Sequence, residues 1–152
     1  MSSDGLAAGL RGAVSAVVAD DDTALALGSG DVPVLGTPRL LALAEAASVA
    51  AVAPRLASGQ TTVGTAVRLE HRRPSPVGTE LAVQAELTSV DGRRLAFTFT
   101  ARQAQQRAEG GSGRPGRDED DGDVIGAGTI ERVLVDRERF VARLQTPVVD
   151  RG

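Results

Sequence analysis

Between Gly36 and Pro54 the chain reads GTPRLLALAEAASVAAVAP, and no other stretch limits its fold as strongly. Thr37 is a residue type favoured at a helix N-cap, and Pro38 fits the first helical turn, where a missing N–H costs nothing. Pro54 bounds the far end, because the residue before a proline avoids helical backbone angles. Leu40, Leu41, Leu43, Val49 and Val52, with many alanines between them, leave almost no polar face. A helix like that is expected to be buried all round, so the rest of the chain must supply its cover.

The cover is legible in the period that follows. From Thr61 onward apolar residues alternate: Val63, Thr65, Val67, Leu69 and His71 share one face of a strand, while Arg68, Glu70 and Arg72 share the other. The run stops at RPSPVG. Leu81, Val83, Ala85 and Leu87 alternate next, Asp91-Gly92 supplies a tight hairpin turn, and Leu95, Phe97, Phe99 and Ala101 alternate back. Ahead of the helix, Gly12 to Ala19 reads as a first strand closed by Asp20, Asp21 and Asp22. Val124 to Val135 reads as the last strand, and Asp136 to Leu144 as a short polar helix. One buried helix followed by antiparallel strands is an α+β arrangement in which the sheet wraps the helix. The domain is expected over 12–146, with flexible tails over 1–11 and 147–152. Gln103 to Asp123 is rich in Gly, Gln, Arg and acid and cannot offset the entropy of ordering, so it is expected to be a disordered insertion.

A chain of 152 residues has room for one core, and therefore for one site. A formal charge of -3 and the lack of Trp and Tyr argue against a nucleic-acid surface. Without cysteine there is no disulfide, thiolate metal site or cysteine nucleophile. The acidic run Asp118 to Asp123 does not have the spacing of a calcium loop, and neither a metal nor a cofactor is expected. The first residues lack the basic and apolar regions of a signal peptide, and no apolar run is long enough to span a membrane, which predicts a cytoplasmic protein. Every basic side chain is Arg, whose forked donors suit phosphates.

Glu45 stands midway along the apolar helix with Leu41, Ala42, Ser48 and Val49 three and four positions away, so no helical neighbour pairs with it. A carboxylate there must be met by a donor or cation from elsewhere, or it sits poised as a base. His71, the single histidine, ends the inward face of the following strand. A lone histidine on an apolar face is ordinarily a core residue satisfied by a carbonyl, but an orphan carboxylate nearby favours chemistry instead. Thr37 is either a plain N-cap or a reactive hydroxyl. The eight residues to Glu45 rise about 12 Å, and side chains lean toward the helix N-terminus, leaving room for one imidazole. Hydroxyl, imidazole and carboxylate in line is the logic of an activated nucleophile or a positioned water. Gly64, at the start of the same strand, is either a bulge glycine or a place where a backbone N–H approaches a thioester carbonyl.

The segments VPVLGTPRLLALAEAA, TTVGTAVRLEHRRPSPVG, ELTSVDGRRLAFTFTARQ and GAGTIERVLVDRERF, in that order, resemble the fluoroacetyl-CoA thioesterase-like family of hot-dog fold proteins from about Val32 to Leu144. The resemblance implies Thr37, Glu45 and His71 as catalytic residues, Gly64 beside the substrate carbonyl and Arg132 as a coenzyme contact. It also implies a homodimer whose sheets pair edge to edge with the acyl-CoA site near the interface, and no metal. Family members selective for a fluorinated acetyl group cover it with aromatic side chains in the loop before the helix. Here the first phenylalanine is Phe97, and that loop offers Val32, Val34 and Leu35, which predicts an aliphatic pocket. The expected activity is hydrolysis of an acyl-CoA or acyl-carrier thioester. His71 would act as base oriented by Glu45 while Thr37 attacks or holds water, or Glu45 would be the base directly. A non-catalytic hot-dog module that binds acyl thioesters and a hot-dog dehydratase are the competing readings.

Overall fold

The structure, a computed structural model, describes residues 5–104 and 123–145. Strand β1 (Arg11–Val17) leads through a short helix α1 (Ala24–Leu27) into the long helix α2 (Thr37–Val52). Strands β2 (Gln60–His71), β3 (Glu80–Asp91), β4 (Arg94–Gln103) and β5 (Val124–Asp136) follow, and helix α3 (Arg137–Leu144) comes last. The five strands form one antiparallel sheet in the order β1-β3-β4-β5-β2. Among the described residues strand β2 is therefore an edge, with no partner strand on its outer side.

Alternation places the core as expected. Leu81, Val83, Ala85 and Leu87 of β3 and Leu95, Phe97, Phe99 and Ala101 of β4 are buried against α2, which presents Leu40, Leu43, Ala44, Ala47, Ser48, Ala51 and Val52. Strand β1 lies so close to α2 that a Cβ on Gly12 would overlap the Ala47–Ala51 backbone, and only glycine fits there. The β3–β4 hairpin closes at Gly92 with φ +59, a backbone angle that glycine adopts without steric cost. Asp136 caps α3, its side chain accepting from the Arg139 N–H at 3.0 Å.

Several expectations change. Helix α2 is not buried all round, because it lies on one layer of sheet: Val49 is 41% exposed, and Ala42 and Ala46 also face outward. The N-terminal tail is shorter than 1–11. Leu6 packs into the core, the Gly9 N–H donates to the Leu87 carbonyl, and the Leu10 carbonyl accepts from the Leu87 N–H. The period-two reading of β2 breaks at a bulge between Gly64 and Ala66. The extra residue shifts the phase, so Thr62 is buried while Thr65 is exposed, and Val67, Leu69 and His71 keep the inward face. Helix α1 falls within the stretch read as loop. It is one turn long, too short for a periodic signal, and is capped by Thr23, whose Oγ1 accepts from the Ala26 N–H at 3.1 Å. Of the polar insertion, Gln103 closes β4, and its N–H donates to the Asp123 carbonyl at 2.9 Å, so the segment leaves and re-enters the sheet on adjoining strands. Residues 105–122 and 146–152 lie outside the described residues, as does most of the expected insertion. Among the described residues no helix is long and apolar enough to cross a membrane.

Candidate active site

Thr37 is the first residue of α2, and the N-cap is Gly36. The Gly36 carbonyl accepts from the N–H groups of Arg39 and Leu40, so the Thr37 hydroxyl is not used as a cap. It points to the end of β2 and lies 2.8 Å from His71 Nδ1. Two ties hold the helix start in place: Arg39 pairs with Asp22 at 3.0 Å, and the Gly36 N–H donates to the Asp22 carbonyl at 2.8 Å. The end of β2 is held by the Arg72 N–H, which donates to the Ile125 carbonyl at 2.7 Å. The Thr37–His71 contact thus joins two rigid elements rather than two loops.

His71 is half-buried, and its Nε2 has no hydrogen-bond partner among the described residues. Burial holds its pKa below the ordinary 6.5, because the charged ring loses hydration, while the nearby Arg73 backbone opposes that effect. A ring kept neutral at Nδ1 accepts a proton from a hydroxyl at hydrogen-bond distance, as a general base must. Thr37 and His71 line a cavity of about 330 Å³ together with Ala24, Ser29, Gly30, Val32, Val34 and Leu35 from the segment before α2 and Arg72, Arg73 and Pro74 from just beyond β2. The wall from the loop before α2 is aliphatic, as expected from Val32, Val34 and Leu35. Phe97 and Phe99 are in the core, 1% and 3% exposed. A larger hollow of about 720 Å³, lined by Pro76–Glu80 and by Gln103, Ala104 and Asp123, has no histidine among its described lining residues. Its Thr79 hydroxyl donates to the Pro76 carbonyl.

Glu45 lies two turns further along α2, and the structure does not bring it into line with Thr37 and His71. Its Oε2 accepts from Arg132 Nη1 at 3.0 Å. Arg132 is 6% exposed. Its Nε donates to Thr62 Oγ1 at 2.9 Å and its Nη2 to the Thr62 carbonyl at 3.1 Å. A buried guanidinium needs such partners to offset lost hydration. Arg132, expected as a coenzyme contact, is thereby turned inward as the cation that meets Glu45. The pattern VIGAGTIERVLVD contained the signal, since Arg132 is in phase with the inward Ile130 and Leu134. Ser48 does not serve the carboxylate, its hydroxyl donating to the Glu45 carbonyl at 2.6 Å.

Gly64 sits over the same carboxylate. A Cβ there would come within 2.5 Å of Glu45 Oε2 and 3.3 Å of Arg132 Nη1, so a side chain at this position would push the Glu45 carboxylate aside. The chain therefore carries two separate pairs, Thr37 with His71 and Glu45 with Arg132 beside Gly64, one toward each end of the edge strand β2. Among the described residues no group of three or more His, Asp or Glu side chains could hold a metal ion.

A five-stranded antiparallel sheet laid on one long helix is the hot-dog fold. The fold recurs in a thioesterase superfamily member of Thermus thermophilus at a TM-score of 0.74, with 23% identity over 91% of this chain and 90% of that one. The family model for fluoroacetyl-CoA-specific thioesterases matches residues 18–114. The fluoroacetyl-CoA thioesterase of Streptantibioticus cattleyicolor is 35% identical over 112 residues, 74% of this chain and 68% of the relative. A solved structure of the fluoroacetyl-CoA thioesterase FlK superposes with a TM-score of 0.74 at 34% identity, covering 95% of this chain and all of that one. The chain belongs to the fluoroacetyl-CoA-specific thioesterase family. It is a thioester hydrolase of the hot-dog fold.

Proposed function

We propose that the protein hydrolyses the thioester of a short acyl group carried on coenzyme A, with Thr37, His71, Glu45 and Gly64 as its working residues. The observation that supports this most directly is the 2.8 Å contact between Thr37 Oγ1 and His71 Nδ1 at an aliphatic cavity. In this reading the acyl group lies against Val32, Val34 and Leu35. His71 takes a proton from the Thr37 hydroxyl or from a water held by it, and the oxygen so freed attacks the thioester carbonyl. A backbone N–H at Gly64 steadies the developing oxyanion, and the thiol leaves. The relatives act on fluoroacetyl-CoA, as their names say. The cavity of this chain is lined by aliphatic and polar side chains without an aromatic one, which fits turnover of ordinary aliphatic acyl groups without preference for fluorine. A panel of acyl-CoAs of increasing length and fluoroacetyl-CoA, followed by thiol release, tests the reading. The expected result is turnover of short aliphatic esters and no advantage for fluoroacetyl. Binding without turnover across the panel would leave an acyl-thioester binding module.

The two separated pairs converge in a homodimer joined along β2. That strand is 12 residues long and lies at an open edge of the sheet. A two-fold axis near Val67 runs the strands antiparallel and sets the Gly64 end of one subunit beside the His71 end of the other. Each site then takes Thr37 and His71 from one subunit and Gly64 with Glu45 from its partner. Mixing two inactive variants, His71→Ala and Glu45→Gln, checks this. One intact site in each mixed dimer returns up to about a quarter of wild-type activity after random reassortment. Sites built within single subunits return none.

A further inference from the structure

The arginines around the two pairs have different fates. Arg39 is paired with Asp22, and Arg132 is turned inward to Glu45 and Thr62. Arg72 pairs with Glu70 on the exposed face, its Nη2 3.1 Å from Oε2. The guanidinium of Arg73 has no hydrogen bond or ion pair among the described residues, although Arg73 lines the Thr37–His71 cavity. Its place is not left to a mobile loop. Its N–H shares the Ile125 carbonyl with that of Arg72, at 3.2 Å and 2.7 Å. Pro74 restricts the backbone of Arg73 before it, and the carbonyl of the buried Ser75 accepts from the Leu35 N–H at 2.8 Å. The segment His71–Arg72–Arg73–Pro74 therefore sets a cation two residues beyond the imidazole, at the exposed rim of the cavity.

We propose that Arg73, with Arg72 beside it, is the contact for a phosphate on the carrier half of the thioester. The proposal rests on the reading of the Thr37–His71 cavity as the reaction site. Two features assign the anion to the carrier and not to the acyl group. The segment before α2 lines the cavity with Ala24, Ser29, Gly30, Val32, Val34 and Leu35 and contributes no cation that could pair with an acyl carboxylate. Arg73 is exposed, as suits a phosphate that stays in contact with water while the thioester carbon is held inside. A rim contact of this kind acts on binding and is screened by salt.

The test compares wild type and Arg73→Ala on two esters of the acyl group that wild type turns over fastest, one on coenzyme A and one on N-acetylcysteamine, which carries no phosphate. Arg73→Ala is expected to raise KM for the coenzyme A ester about three- to tenfold, with kcat unchanged and a weaker dependence of KM on salt. The N-acetylcysteamine ester is expected to be turned over equally by both proteins. Equal losses on both esters, or no loss on either, overturn the proposal while leaving the hydrolase reading intact. So does a loss confined to a carboxylated acyl group, measured as succinyl against butyryl on N-acetylcysteamine. If neither ester is hydrolysed, the hydrolase reading falls, and calorimetric titration of free coenzyme A into both proteins still decides Arg73: equal affinity overturns the proposal and weaker binding to Arg73→Ala supports it.

Discussion

Replacing His71 by alanine is expected to lower kcat by roughly 10²- to 10⁴-fold, the usual contribution of a positioned general base, while the melting temperature moves by no more than about 2 °C. The small thermal effect follows from the surroundings of the ring. His71 is half-buried at the end of an edge strand, its Nε2 has no partner among the described residues, and its Nδ1 bonds to the Thr37 hydroxyl. Removing the ring leaves a hydroxyl that water can reach. The pH profile gives an independent reading. A base must be neutral to accept a proton, so activity is lost as pH falls through the pKa of the folded protein. Burial holds that pKa below 6.5, and the acid limb of kcat/KM is expected at a midpoint under that value. The sign for stability is the same: the unfolded chain takes up the proton more readily, so acidification below pH 6.5 weakens the fold through this residue. A variant that keeps wild-type turnover, or a profile with no acid limb, would remove His71 from the mechanism.

The second large effect is expected at Arg132, and it is one of stability. Arg132→Met fills much of the same space but leaves the Glu45 carboxylate and the Thr62 hydroxyl and carbonyl without their donor. Breaking a buried pair by removing one partner ordinarily costs about 3–5 kcal/mol. The Arg132 side chain is 7% exposed but that of Glu45 is 33% exposed, and water reaching the carboxylate holds the loss to about 2–3 kcal/mol. For a domain of this size that lowers the melting temperature by roughly 5–10 °C. Adding Glu45→Gln to Arg132→Met should recover part of the loss, because the orphaned charge is gone. In a double-mutant cycle the two substitutions are therefore non-additive. Purely additive losses would show that the 3.0 Å contact contributes nothing by itself.

The order of the strands and the long helix, and the inward faces of β3 and β4, were readable because burial leaves a periodic trace. Alternation placed Leu81–Leu87 against Leu95–Ala101, and the proline and glycine at its ends framed α2. The site was readable only in part. Residue types named Thr37, Glu45 and His71, and the structure brings Thr37 to His71 while sending Glu45 to a different partner. Glu45 was read as an orphan because helical neighbours are local in sequence, whereas its cation is 87 positions away. The bulge at Gly64 was equally hidden, since one inserted residue changes which side chains face inward without changing the composition of the strand.

By itself, then, the amino-acid order determined what depends on near neighbours: helix limits set by prolines, strand faces set by alternation, a hairpin set by Asp91-Gly92, and an aliphatic cavity wall set by the absence of early aromatics. Tertiary structure decided which groups meet. It gave the Thr37 hydroxyl to His71 and not to the helix cap, turned Arg132, expected as a coenzyme contact, to Glu45, and left the Arg73 guanidinium without a partner among the described residues. The physical reason is that periodicity records whether a side chain faces water. Hydrogen bonds and ion pairs act over about 3–4 Å, and the separations that matter at that scale exist only once the sheet has closed on the helix.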